Sequence, residues 1–177
     1  NRKFEKTNFD ICEMARIILI AFEGKIEEKN LDVDFTSSSD RLFVYSDKDA
    51  INQVLYNLCD NAVKFSRPGG KYLISIDEAP SDKIRVKIFN EGEGISAEDL
   101  PNIFDRFYKS DRSRGKDKIG VGLGLYISKT IMDNLGEQIS VKSEQGNYCE
   151  FTFSVSKSKI ADAKILPHQS SVDKSEK

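Results

Sequence analysis

Residues 51–65 place Ile51, Val54, Leu55, Leu58, Ala62 and Phe65 at i, i+3, i+4, i+7, i+11 and i+14, and the pattern then breaks at Arg67-Pro68-Gly69-Gly70. That spacing draws one apolar stripe down an α-helix, which is stable only when a second layer covers it. Proline cannot continue the helix and paired glycines release the backbone, so the helix must stop there. Within it, residues 57–66 read Asn-Leu-Cys-Asp-Asn-Ala-Val-Lys-Phe-Ser, which puts Asn57, Asn61 and Lys64 at i, i+4 and i+7 on a second, polar face. Taken alone, such residues are ordinarily a solvated surface. Two amide oxygens hold a bare cation poorly, yet they suit Mg2+ that is already bound to phosphate.

The flanking segments supply the covering layer. An extended segment near residues 4–10 precedes an amphipathic helix over residues 11–29, which Asn30 stops. Residues 31–35 alternate as a strand, and residues 41–45, beyond a serine-rich turn, read as its antiparallel partner. Ser46 or Asp47 then caps the central helix. Residues 72–76 and 84–89 form a hairpin around 79–82, and residues 96–107 read as largely helical, followed by a charged loop. Leu123, Ile127, Ile131 and Leu135 mark another helix, and residues 138–142 and 148–155 a closing hairpin. The expected fold class is α+β: a two-layer sandwich of a mixed, largely antiparallel sheet covered on one face by helices.

The chain of 177 residues is sized for one domain, and 38% apolar with 32% charged residues suits a globular one. Lys and Arg number 27 against 29 Asp and Glu, which argues against a nucleic-acid partner. The longest apolar run, residues 17–22, is far too short to cross a bilayer, and no secretory leader opens the chain, so no membrane contact is expected of this segment. Cys12, Cys59 and Cys149 are scattered and odd in number, which speaks against a disulfide or metal framework and for packing thiols in a reducing, cytoplasmic compartment. A start at Asn1 reads as a piece of something longer.

Two glycine-rich segments remain. Asn90-Glu-Gly-Glu-Gly-Ile95 follows a strand, and Gly120-Val-Gly-Leu-Gly-Leu125 opens the last helix, where unpaired N–H groups and the dipole favour phosphate. Neither fits a Walker loop or a dinucleotide fingerprint. Each is weak alone.

In order and spacing, residues 57–66, 90–95, Phe104-Asp-Arg-Phe-Tyr108 and 120–125 resemble the N, first glycine, F and second glycine boxes of bacterial sensor histidine kinases. The likeness is to their catalytic ATP-binding domain, with the Bergerat-type fold shared by DNA gyrase and mismatch-repair ATPases. The resemblance implies ATP and Mg2+ as cofactors, with Asn57 and Asn61 on the metal and Lys64 on the phosphates. It puts Phe65 beside the adenine, with Asn90, Gly92, Gly94 and Ile95 shaping its pocket. Gly120, Val121, Gly122, Leu123 and Gly124 would back the triphosphate. Residues 109–119 hold five cations against two carboxylates. By the resemblance they form a lid, anchored by Phe104, Phe107 and Tyr108, from which Lys109 and Arg114 reach the γ-phosphate. The family has Asp where this chain has Asn90, and an amide rejects a guanine carbonyl less firmly than a carboxylate, so adenine preference is expected to weaken. Val121 replaces a common Thr or Ser, with little consequence expected.

Water-splitting relatives carry Glu where this chain has Asn57, which takes no proton at neutral pH. Slow hydrolysis and transfer to a neutral imidazole are therefore expected. The one histidine, His168, lies in a polar tail without the family's acceptor context. The acceptor is expected on a dimerisation domain of the same parent protein, with a response regulator downstream and this domain monomeric. Residues 1–8 read as the exit from that region, 9–157 as the ATP-binding domain and 158–177 as a disordered tail. The alternative is a nucleotide-binding regulatory module without phosphotransfer; an ATPase clamp is disfavoured by Asn57.

Overall fold

The computed structural model describes residues 3–108 and 123–160. Strand β1 (Lys6–Asp10) leads into α1 (Ile11–Ala21), capped by the Asp10 carboxylate, which accepts from Cys12 N at 3.0 Å. The helix expected over residues 11–29 is broken at Phe22, beyond which α2 (Glu23–Glu28) begins. At the break Phe22 is buried, its ring centroid 4.9 Å from that of Tyr56, so the interruption coincides with an aromatic anchor. Asn30 follows with φ +53, the left-handed stop read from the sequence.

Strands β2 (Asp32–Ser37) and β3 (Phe43–Asp47) are not partners, contrary to the sequence reading. β3 pairs antiparallel with β1, and β2 pairs parallel with β4 (Lys71–Ala79) at a sheet edge. The Asp10 carboxylate also accepts from Leu42 N at 3.1 Å, and Ile11 N donates to Leu42 O at 3.0 Å. Those bonds draw the start of β3 to β1 and away from β2. The result is a two-stranded ribbon beside a five-stranded sheet ordered β2-β4-β5-β7-β6, with β5 (Lys83–Glu91), β6 (Ile139–Glu144) and β7 (Tyr148–Ser156) antiparallel to their neighbours.

Across the sheet, Ile74, Ile88, Phe151 and Val141 form one cross-strand row, and Ile76, Val86, Phe153 and Ile139 the next. Helix α3 (Lys48–Phe65), capped by Asp47 through Ala50 N at 2.8 Å, buries Ile51, Val54, Leu55, Leu58 and Ala62 as its stripe requires. Cys59 and Val63 widen the buried band, while Phe65 at its end is part-exposed. The fold is α+β, a mixed sheet with helices, as the pattern implied.

Residues 96–107 are not a helix. Only Leu100–Asn102 coil, as a 3-10 turn, because Pro101 lacks the N–H that an α-helix needs there and Phe107 adopts φ +62. Helix α4 (Gly124–Asn134) ends at Gly136, with φ +70.

Candidate functional site

Helix α3 presents Asn57, Asn61 and Lys64 side by side, each part-buried, on the face next to its apolar stripe. Asn57 Nδ2 donates to the carbonyl of Gly124, the first residue of α4, at 3.4 Å. The same carbonyl accepts from Ser128 Oγ at 2.9 Å. Helix α4 begins without a side-chain cap, so its leading N–H groups have no side-chain acceptor. Lys64 Nζ lies 3.9 Å from Asp60 Oδ2, a partner that the sequence reading overlooked although the i, i+4 spacing announces it.

The end of α3 is tied down by Lys29, whose Nζ donates to the carbonyls of Val63, Lys64 and Ser66 at 2.8, 2.7 and 3.0 Å. A cation there satisfies carbonyls left over at the helix end and complements its dipole. It also holds the turn that carries Lys64 and Phe65. Its partners lie 34 to 37 residues away, so no local signal could have found it.

Gly92 crosses this turn in contact with it. Ser66 and Gly92 form an isolated bridge, and a Cβ on Gly92 would sit 2.1 Å from Phe65 O. Gly94 has φ +62, and a Cβ there would meet Glu144 O at 2.3 Å. Both glycines are thus required by backbone lying on backbone, before any ligand is considered. Ile95 N donates to Ser143 Oγ at 2.7 Å, which fixes the next residue to β6.

Asn90 is 4% exposed, and its Nδ2 has no partner among the described residues. Its cross-strand neighbour Tyr72 is fully buried, and the Tyr72 hydroxyl is the other such atom. The Cys59 thiol of α3 lies beside that hydroxyl without completing a hydrogen bond, and burial pushes Cys59 up to about 12 and Tyr72 upward as well. Orphaned polar groups of this kind mark a place where the protein leaves hydrogen bonds for something else.

At the other side of the site, the Tyr108 hydroxyl donates to Asp99 Oδ1, and Phe104 packs edge-on against Phe151 with centroids 6.1 Å apart. The Arg106 guanidinium lies over the rings of Phe107 at 4.9 Å and of Tyr126 at 5.8 Å, linking this segment to α4. Lys109, Arg114, Gly120, Val121 and Gly122 lie outside the described residues, while Leu123 and Gly124 open α4. The structure therefore brings Asn57 to Gly124 and Phe65 to Gly92, with Asn61 and Lys64 along the helix between them.

Among the described residues no group of three or more His, Cys, Asp or Glu side chains could cage a metal. Two neighbouring amides fit a hard cation that keeps its waters and its phosphate oxygens.

A family model described as histidine kinase-, DNA gyrase B- and HSP90-like ATPase matches residues 46–159. Sensor protein SrrB of Staphylococcus aureus strain MRSA252 is 39% identical over 138 residues, which is 78% of this chain, and the chain spans 23% of that relative's length. The catalytic domain of histidine kinase ThkA superposes with a TM-score of 0.76 at 31% identity, covering 87% of this chain and 97% of that one. ThkA in complex with the response regulator protein TrrA also matches, with a TM-score of 0.72 at 29% identity over 86% of this chain and 42% of ThkA. The chain belongs to the histidine kinase-, DNA gyrase B- and HSP90-like ATPase family, and within it to the ATP-binding catalytic domains of sensor histidine kinases.

Proposed function

We propose that this domain binds Mg-ATP along the polar face of α3 and transfers the γ-phosphoryl group to a histidine on a separate dimerisation domain of its parent protein. The observation that carries this reading is the bond from Asn57 Nδ2 to Gly124 O, which joins the amide face of α3 to the uncapped start of α4. With its N–H committed there, Asn57 has its oxygen left to face a cation, and Asn61 one turn on adds a second. Mg2+ bound here would bridge phosphate oxygens and neutralise their charge. Lys64 adds a positive charge on the same face, the α4 N–H groups meet phosphate, and Asn90 with Gly92, beyond Phe65, meets the base. The orphaned Nδ2 of Asn90 supports a polar ligand edge at that point.

Asn57 holds no proton to give or take at neutral pH, so the site orients phosphate without activating water. That favours a nucleophile needing no strong base, such as a neutral imidazole.

The response regulator is proposed as the downstream partner, and the ThkA complex supports it by likeness. We place the domain in the cytoplasm, an assignment that three free, buried thiols support. Among the described residues no helix is long and apolar enough to cross a membrane. We retain 1–8 as the approach to the domain, with residues 6–8 already paired in β1, 9–157 as the nucleotide-binding unit and 158–177 as a tail whose first residue, Ser158, is bonded to Phe43.

Calorimetric titration of the chain with ATP tests the metal assignment. Binding should strengthen at least about tenfold on adding Mg2+, and Asn61→Ala should abolish that gain while leaving metal-free binding in place. Magnesium dependence that survives Asn61→Ala would overturn it.

A further inference from the structure

Glu137 sits well away from the α3 polar face, yet it is 7% exposed and fully engaged. Its Oε1 accepts from Lys83 Nζ at 2.6 Å and from Ser154 Oγ at 3.0 Å. Its Oε2 accepts from Ser156 N at 2.7 Å and from Ser156 Oγ at 3.0 Å, and Lys83 Nζ also donates to Ser156 Oγ at 3.1 Å. A buried carboxylate paired with a part-exposed ammonium loses hydration that their attraction only just restores, and an apolar pair of the same size would often be as stable. The value of such a network is therefore geometric: it fixes one arrangement.

What it fixes is α4. Gly136 N donates to Asp133 O at 3.1 Å and Glu137 N to Met132 O at 2.8 Å, so Glu137 is locked to the final turn of that helix. Its carboxylate is locked to the start of β5 and the end of β7. Between its ends α4, an 11-residue helix about 16 Å long, fully buries only Ser128, Ile131 and Met132, with Leu125 and Ile127 part-buried against the core. Its first turn contributes no fully buried side chain. A shift or roll at the Glu137 end would reach Gly124 along this helix, and the Gly124 carbonyl accepts from Asn57.

We propose that Glu137, acting through Lys83, Ser154 and Ser156, is a positioning residue for the nucleotide site, clamping the far end of α4 so that Gly124 stands against Asn57. This rests on the nucleotide reading above. Mg-ATP affinity and amide exchange of residues 124–128 are measured together on the 177-residue chain. Glu137→Ala and Lys83→Met should each weaken Mg-ATP about tenfold and speed exchange across 124–128, at temperatures where circular dichroism shows the fold intact. Glu137→Gln keeps one acceptor oxygen for Ser156 but sets an amide N–H group against the Lys83 ammonium, so it should fall between the parent and Glu137→Ala in both readouts. Val44→Ala, a core truncation in β3, supplies a destabilised control that should leave both readouts alone. Parent-like affinity and exchange in Glu137→Ala, or an equal loss in Val44→Ala, would overturn the clamp. If the parent chain bound no Mg-ATP, the proposed function would fail, and exchange across 124–128 would still decide the clamp.

Discussion

Asn57 and Gly124, 67 residues apart in sequence, meet where the side-chain amide of one donates to the backbone carbonyl of the other at 3.4 Å. An amide is suited to this joint because its nitrogen donates to the carbonyl while its oxygen stays an acceptor. Asn57→Asp keeps the shape but removes the donor and sets a negative charge beside a carbonyl and the proposed phosphates. We expect Mg-ATP affinity to fall at least about tenfold with little change in melting temperature. Displacement of a fluorescent ATP analogue reads the first, and thermal denaturation the second.

The glycines divide by what surrounds them. A Cβ at Gly92 would fall 2.1 Å from Phe65 O, whereas one at Gly124 would meet nothing within 4 Å. Gly92→Ala should destabilise the domain by about 3 kcal/mol or more, since neither backbone segment can yield. Gly124→Ala should hold or raise stability, alanine being the better helix former, and lower nucleotide affinity through crowding of phosphate. Urea melts of the two variants check the contrast.

At the proposed base site Asn90 would present both a donor and an acceptor, where a carboxylate would only accept. Asn90→Asp should therefore widen the preference for ATP over GTP, as measured by competition binding. Selectivity that is already strict and unmoved by the substitution would contradict this.

The buried Cys59 thiol links stability to alkaline pH. Its folded value of about 12 stands above the ordinary 9.0, so the folded state keeps a proton that the unfolded state sheds. The stabilisation is complete below pH 9 and drains away as pH rises toward 12, by up to about 4 kcal/mol. Tyr72 adds to the same decline. Cys59→Ala should flatten the fall of the urea midpoint between pH 9 and 11, and an unchanged slope would contradict the assignment.

Helix α3 was legible because its cap Asp47, its stripe and its breaker Pro68 are all local. Asn90 was placed in a loop motif, although Ile84, Val86, Ile88 and Asn90 continue a period of two that carries it onto the buried face. The pairing of β2 was not legible, because a strand chooses its partner through contacts such as Asp10 to Leu42 that join distant residues. The same holds for Glu137, whose partners stand 17 to 54 residues away. Residues 96–107 read as largely helical, which Pro101 forbids. The lid residues expected from the resemblance, Lys109 and Arg114, lie outside the described residues.

The most direct test is to incubate this domain with the histidine-bearing dimerisation domain of its parent protein and γ-labelled Mg-ATP. Label should appear on the dimerisation domain as acid-labile, alkali-stable phosphate, should be absent when either domain is omitted, and should exceed release of free phosphate. Tight Mg-ATP binding with no labelled histidine would contradict the account and identify a regulatory nucleotide-binding module instead.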